Sequence, residues 1–333
     1  MFIHNAKAVS YKIFGAPDKV LKLINKTVTK PASHEIIVKM SACSINPSDL
    51  LAIRGIGYYK SRIQLPAIPG FEGVGVVVAK GAAVKHVQLG QRVLALRGEG
   101  TWQAYVKIPA LEAICVPDEI NDLLAAQLYI NPLTAWLIVK KLQVTQGHIV
   151  IANAAGSAMG KLFAQFSHIL GYTYIAVTRS NDYTSELLRL GAAYVINTHE
   201  CDLTAEVYRI TQGQRPHIAL EAVGGKPGAE LAMTVRSGGK VLVYGNLALQ
   251  TYPAEYLKSL QPHVSIENFW LRDWTYRLPV EERKQVFREM MNSVITHNIE
   301  LPIAKEFKLD DVIQAVQNAE TPGRQGKILL TFS

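Results

Sequence analysis

The sequence predicts an α/β protein of two domains, a β-rich one followed by a doubly wound parallel six-stranded sheet, and three observations carry that prediction. The first is length: 333 residues are more than one hydrophobic core organises and suit two domains of ordinary size. The second is the texture before Asn121, where Gly and Pro punctuate short β-branched runs such as IIVKMSA, GVGVVVA, QRVLALRG and WQAYVKI. The third is the texture after it, where apolar strands and helical segments alternate.

Taken in order, DLLAAQLYINPLTAWLIVKKL reads as one long helix leading into the strand HIVIANA. Five further strands follow, YTYIAVTR, YVIN, HIALEAVG, KVLVYGN and VSIENFWL, separated by helical segments such as SELLRLG, LTAEVYRIT and AELAMTVRSG. Six such strands with intervening helices describe a parallel sheet covered on both faces. After the amphipathic helix PVEERKQVFREMMNSVITHN, the closing KEFKLDDVIQAVQNAE and GKILLTFS read as a helix and a strand that return to the β-rich domain, because the sheet already has its six strands. The expected bounds are therefore 1–124, 125–298 and 299–333.

Composition narrows the function classes. With 49% hydrophobic and 19% charged residues the chain is soluble and foldable, and no apolar run approaches the ~20 residues of a membrane helix. The opening MFIHNAKAVSYKIFG lacks the layout of a secretion signal, so a cytoplasmic protein without a membrane partner is expected. Cys43, Cys115 and Cys201 are scattered without CxxC spacing, which assembles neither a disulfide framework nor a structural zinc site and suits a reducing compartment. The net charge of +8 is spread along the chain, a mild lean toward anionic ligands such as phosphates or coenzymes rather than nucleic acid.

The strand HIVIANA runs into a turn of small residues, Ala155, Gly156, Ser157, Ala158, Met159 and Gly160, and then a helix. Such a turn aims backbone N–H groups and a helix N-terminus at a pyrophosphate. Against the GxGxxG fingerprint, Ala155, Ser157 and Gly160 fall on the glycine positions, so only the last is kept and the motif alone is weak. The end of the second strand says more. Roughly 20 residues beyond Gly160, where NAD enzymes place an acid on the ribose 2′-OH, stand Thr178, Arg179 and Ser180. An arginine with hydroxyl neighbours suits a 2′-phosphate, which selects NADPH as the expected cofactor. The plainer alternative is a tight turn and an ordinary exposed arginine with no ligand.

Domain order, INPSDL and LPAIPGFEGVG in the Ser44–Gly73 loop, GTWQAYVKIP, NPLTAW, EAVGG and NFWLRDW together resemble the zinc-free medium-chain dehydrogenase/reductases over essentially the whole chain. The 2-enoyl thioester reductases of the mitochondrial fatty-acid synthesis type are nearest, with quinone oxidoreductases next. The resemblance implies a GroES-like catalytic domain and a Rossmann domain. It also places Asn46 and Phe71 where zinc-bearing alcohol dehydrogenases have cysteine and histidine, and the four-cysteine structural lobe is absent. A carboxamide and a phenyl ring cannot replace a thiolate and an imidazole on tetrahedral zinc, so no metal is expected.

Without a Lewis acid, the reaction should be one whose growing negative charge hydrogen-bond donors can hold. Reduction of a C=C bond conjugated to a carbonyl fits: hydride reaches the β-carbon and a proton the α-carbon. Related reductases carry a tyrosine shortly after the glycine matching Gly55 as the proton donor. Tyr58 and Tyr59 compete for that role, with Tyr59 favoured; a phenol with an ordinary pKa of about 10 stays protonated at neutral pH. The alternative is that both rings cover the loop. The resemblance further puts Asn46 beside the nicotinamide and Asn131 and Thr134 near its ribose or carboxamide, while Gly245, Phe269 and Trp270 complete the cofactor set. Trp270 and Trp274 could wall an acyl pocket, and Trp136 could narrow it. Asp49 and Glu72 read as architectural, Glu72 through an ion pair with an arginine under the cofactor.

The leading reading is thus an NADPH-dependent, metal-independent reductase of α,β-unsaturated carbonyl compounds, most specifically 2-enoyl thioesters. An NADPH:quinone oxidoreductase is the alternative, and a non-catalytic NADPH-binding protein ranks third. The substrate is a small molecule: an enoyl thioester, an enal or a quinone. A homodimer is expected through the sixth strand, which would lie at the sheet edge.

Overall fold

The computed structural model describes residues 3–96 and 98–332. In chain order the strands are β1 (Ile3–Ser10), β2 (Lys22–Val28), β3 (Glu35–Ser44), β4 (Val74–Lys80), β5 (Arg92–Leu94), β6 (Tyr105–Pro109) and β7 (Ile114–Cys115). Then come β8 (Ile149–Ala152), β9 (Thr173–Thr178), β10 (Tyr194–Asn197), β11 (Ile218–Glu221), β12 (Lys240–Val243) and β13 (Ser265–Asn268), and finally β14 (Ile303–Lys308) and β15 (Lys327–Thr331). They divide between two compact units, Met1–Leu133 with Leu278–Ser333, and Thr134–Arg277.

The first unit is built on a seven-stranded sheet in the order β14-β15-β3-β4-β5-β7, with β6 also paired to β3, and a separate β1-β2 ribbon. The period of 2 along β3 sorts its side chains. Ile36, Val38 and Met40 enter one core with Val77, Val93, Val106 and Ile108, whereas Ile37 packs with Ala6 and Val28. Cys43 belongs to a further core with Ile45, Leu50, Ile53, Trp102 and Leu330. The chain's last strand lies in this sheet: β15 pairs antiparallel with β3 and parallel with β14.

The second unit is the expected parallel six-stranded sheet, in the order β10-β9-β8-β11-β12-β13. Its strands therefore run 3-2-1-4-5-6, the doubly wound order of dinucleotide-binding sheets, and the order reverses between β8 and β11. Ile151, Ile175, Ile196, Ala219 and Val241, one from each of five strands, share a core with Leu203, Val207 and Leu231 from the covering helices. β13 lies at the edge.

Two expectations differ from what is found. The long helix is two helices, Asp122–Ala125 and Asn131–Lys141. Pro132 has no N–H to offer a helix interior and suits only a first turn, and the N–H groups of Tyr129 and Ile130 donate instead to the Glu72 carboxylate. The joins also lie elsewhere than 124/125 and 298/299. The helix Val280–Thr296 falls in the first unit, where Arg283 makes a two-armed ion pair with Glu112 at 2.8 and 3.1 Å and Phe287 stacks on Tyr129 at 6.0 Å. Among the described residues no helix is long and apolar enough to cross a membrane.

Candidate active site

Asn46 stands immediately before the helix Pro47–Arg54, whose first residue is a proline with its φ already set for a helix. Asp49, in the first turn, folds back to accept the Asn46 N–H at 2.7 Å and also takes the Phe71 N–H at 3.0 Å. The Asn46 side chain is fully buried and committed at both ends. Its Nδ2 donates to Ser44 Oγ at 2.9 Å and to Glu72 Oε1 at 2.7 Å, and its Oδ1 accepts from Lys327 Nζ at 2.6 Å. Glu72 also takes the Ser44 hydroxyl, the Tyr129 N–H at 3.0 Å and the Ile130 N–H at 2.7 Å. The expected arginine is not among these donors.

Asn46, Asp49, Glu72 and Lys327 are each 5% exposed or less, so two carboxyls and one ammonium share a nearly dry space. Burial pushes the Asp49 carboxyl up to about 7, with Glu72's charge adding to it and the hydrogen bonds from Asn46 and Phe71 opposing. Burial pulls the Lys327 ammonium down to about 8, against the pull of Glu72. Two buried groups whose charge equilibria are shifted toward neutrality thus stand beside the candidate catalytic loop. Cys43 behaves otherwise: burial raises its thiol well above the ordinary range, which leaves an inert core side chain.

The tyrosine loop starts where the helix ends. Gly55 takes the left-handed conformation, φ 66°, and a Cβ there would meet the Phe14 ring at 2.5 Å, so only glycine fits. A short 3₁₀ turn, Gly57–Ser61, then carries both tyrosines, each half-buried. Tyr59 stacks on Phe71 with ring centroids 5.9 Å apart and planes 26° apart. Tyr58 meets Tyr59 edge-on at 6.2 Å and has the Arg62 guanidinium 5.0 Å from its centroid. Phe71 thus links the loop to the buried cluster, ring to Tyr59 and backbone N–H to Asp49.

In the second unit, Ser157 caps the helix Ala158–Leu170 by accepting the Gly160 N–H at 3.3 Å. A Cβ on Gly160 would lie 2.2 Å from the Ala155 carbonyl oxygen, the close approach that the last fingerprint glycine serves. Gly156 is covered by Tyr183, whose ring would be 2.5 Å from a Cβ. Gly156 and Ala158 are half-buried and Ser157 exposed, while Ala155 and Met159 point inward. Thr178 is buried with its hydroxyl turned to the Ser180 carbonyl at 2.8 Å. Arg179 is exposed and free of any hydrogen bond or ion pair to a described residue.

Gly245 follows β12, and Phe269 and Trp270 follow β13, the Phe269 N–H donating to the Val243 carbonyl at 2.8 Å. The turn after β8, Arg179 after β9, Gly245 and Phe269 therefore all stand at the carboxyl edge of the sheet, the edge at which such sheets bind ligands. Trp270 is 39% exposed. Asn131 and Thr134, both half-buried, share the first turn of Asn131–Lys141, Asn131 in the first unit and Thr134 in the second. Trp136 packs on Phe166 at 5.8 Å under the Lys140 ammonium at 5.0 Å, so its bulk is taken up between helices.

Three participants were absent from the sequence reading. Ser44 could have been found, since in an extended strand it shares a face with Asn46. Lys327 stands 281 residues from Asn46, and its only signal is a charged residue opening an otherwise apolar strand. Glu221 closes β11 fully buried inside the EAVGG motif, where nothing local separates it from a surface acid.

Comparison with known proteins adds the following. The model of the alcohol dehydrogenase GroES-like domain matches residues 32–118, and that of the zinc-binding dehydrogenases matches residues 158–292. The mitochondrial enoyl-[acyl-carrier-protein] reductase of Rattus norvegicus is 32% identical over 98% of this chain and 89% of its own length. That of Xenopus tropicalis is 30% identical over 98% of this chain and 95% of its own. A crystal structure from Bacillus thuringiensis, provisionally assigned as an NADPH:quinone reductase, is 40% identical, covers 99% of this chain and 100% of that one, and superimposes with a TM-score of 0.94.

Proposed function

Because the chain belongs to the medium-chain dehydrogenase/reductase superfamily, we propose that it is an NADPH-dependent, metal-independent oxidoreductase that reduces the activated C=C bond of a 2-enoyl thioester. The observation that carries the reading is the Asn46 cluster. The two positions that would ligate zinc hold a phenyl ring and an amide whose oxygen accepts from Lys327 and whose N–H groups donate to Ser44 and Glu72. These residues do not fit a zinc ion, the description of the second family model notwithstanding. The names of the enoyl-[acyl-carrier-protein] relatives support the thioester as acceptor.

The turn residues fit NADPH: a capped helix N-terminus, the close Ala155–Gly160 approach and an exposed Arg179 for a 2′-phosphate. Bound NADPH supplies a hydride to the β-carbon of the acceptor. The chain's own part is to hold the charge that then develops on the thioester oxygen and to deliver a proton to the α-carbon, and Tyr59 is the group assigned to that delivery. Asn46, with its hydrogen-bonding capacity committed, acts by holding Glu72 and the loop in place. A cytoplasmic setting is consistent with three unpaired cysteines, two of them exposed. A homodimer through β13 is supported by its edge position and by Ile266, 39% exposed on it.

A quinone as acceptor is the second reading, favoured by the Bacillus thuringiensis structure. Purified protein with NADPH and crotonyl-CoA, a longer enoyl-CoA or a benzoquinone, followed by the absorbance of reduced nicotinamide, separates the two. Turnover of a quinone with every enoyl thioester inert would replace the first reading by the second.

A further inference from the structure

Asn153 follows β8 directly and opens the dinucleotide turn, and its buried side chain is used at both ends. Its Nδ2 donates to Glu221 Oε1 at 2.9 Å, and its Oδ1 accepts the Ala222 N–H at 2.9 Å. Glu221 itself has no exposed surface. Beyond Asn153 it accepts the N–H groups of Val223 at 2.6 Å and Gly224 at 2.8 Å on Oε1, and the Tyr252 hydroxyl at 3.0 Å on Oε2. One carboxylate therefore joins the segments that follow β8, β11 and β12. β8 and β11 are the neighbours between which the strand order reverses, where an open parallel sheet takes its ligand.

These four donors are all neutral, two peptides, an amide and a phenol, and together they form a nest for an anion. The phenol remains a donor, since burial and the nearby Glu221 charge push its pKa upward. The residue after Asn153 is the one under tension. Ala154 has φ 49°, a left-handed conformation that an L-residue with a Cβ adopts at a cost of about 1–2 kcal/mol and glycine adopts freely. Of the three fingerprint positions that follow, only Gly160 is glycine.

We propose that Glu221, through Asn153 and Tyr252, is a positioning clamp: it holds an alanine-built turn in the shape that other dinucleotide turns reach with glycine, and so keeps the N-terminus of Ala158–Leu170 aimed at the coenzyme pyrophosphate. The ligand in this statement rests on the NADPH reading; the shape of the turn does not. Both parts are tested on the full chain with Tyr252→Phe, which keeps the ring, Glu221→Gln, which cannot accept at both ends, and each combined with Ala154→Gly.

Tyr252→Phe and Glu221→Gln are each expected to weaken NADPH binding about three- to ten-fold, the worth of one hydrogen bond, with the KM of the acceptor unchanged. Adding Ala154→Gly should bring binding back to within about two-fold of wild type, because the clamp is then no longer needed to hold the left-handed residue. Without any coenzyme, amide exchange across Asn153–Ser157 should quicken in the two single variants and slow again in the doubles. Unchanged exchange and affinity in both singles, or equal losses with and without Ala154→Gly, would overturn the clamp. Wild-type protein that binds no NADPH would sink the cofactor reading, and the exchange pattern would still decide the clamp.

Discussion

Lys327 Nζ lies 2.6 Å from Asn46 Oδ1, although the two residues stand 281 positions apart in the chain, and the amide passes that contact on to Glu72 Oε1 at 2.7 Å. The ammonium therefore compensates a buried carboxylate through an intervening carboxamide. Breaking such an arrangement on one side leaves an uncompensated charge, whereas removing both sides does not. Lys327→Met should lower the unfolding free energy by about 3–5 kcal/mol, and since Glu72→Gln also leaves buried donors unpaired, the double variant should lose about 2 kcal/mol less than the sum of the two single losses. Urea unfolding of the four proteins at neutral pH measures it; strictly additive losses would mean the two charges do not communicate.

The same cluster predicts how stability follows pH. Asp49 has its carboxyl raised from 3.8 to about 7, so the fold holds that proton more tightly than the unfolded chain does. Its contribution is complete below 3.8 and is lost as pH rises to about 7. Lys327 is lowered from 10.5 to about 8, so the fold releases that proton more readily, and its penalty, full below 8, is relieved between about 8 and 10.5. The pair is least favourable near pH 7 to 8. Relative to Asp49→Asn, wild type should lose stability from pH 4 to 7; relative to Lys327→Met, it should gain from pH 8 to 10. Flat difference curves in urea midpoints would contradict both assignments.

How far this cluster could be read in advance depends on the distance over which each signal acts. The six strands of the second unit were legible because each is an apolar run with its own local period, and parallel pairing follows from alternation with helices. The capped turn at Ser157 and the cap-and-stop of Pro47 and Gly55 are likewise local chemistry. The helix break before Asn131 was not legible, since the group that satisfies the freed N–H groups is Glu72, 57 and 58 residues away. Lys327 was hidden for the same reason. Asn46 was found by type, but its commitment to three partners depends on residues the chain brings in from elsewhere.

The stacking of Tyr59 on Phe71 distinguishes the two tyrosines. Tyr59 is braced against the residue whose N–H enters the Asp49 site, whereas Tyr58 meets the edge of Tyr59 and lies under the Arg62 guanidinium. Loss of a general acid lowers turnover by about 10²–10⁴-fold, and that is the expectation for kcat in Tyr59→Phe, with NADPH affinity unchanged. Tyr58→Phe should stay within about three-fold, the scale of one modest contact. Full kcat in Tyr59→Phe on every acceptor that turns over would remove the phenol from the chemistry.

Arg179 is exposed, stands where β9 ends, and has no hydrogen bond or ion pair to a described residue. An exposed residue of this kind can be changed without disturbing the fold, so its effect on coenzyme choice is readable by itself. A charge-assisted contact to phosphate contributes about 1.5–3 kcal/mol, or roughly ten- to a hundred-fold in affinity. Arg179→Asp should weaken NADPH by at least that much, because attraction becomes repulsion, while NADH, which has a free 2′-hydroxyl for the new carboxylate, should bind as well or better. The thermal midpoint without coenzyme should not move. Titration of both coenzymes against both proteins decides it: undiminished NADPH binding in Arg179→Asp would mean that the 2′-phosphate is held by other groups.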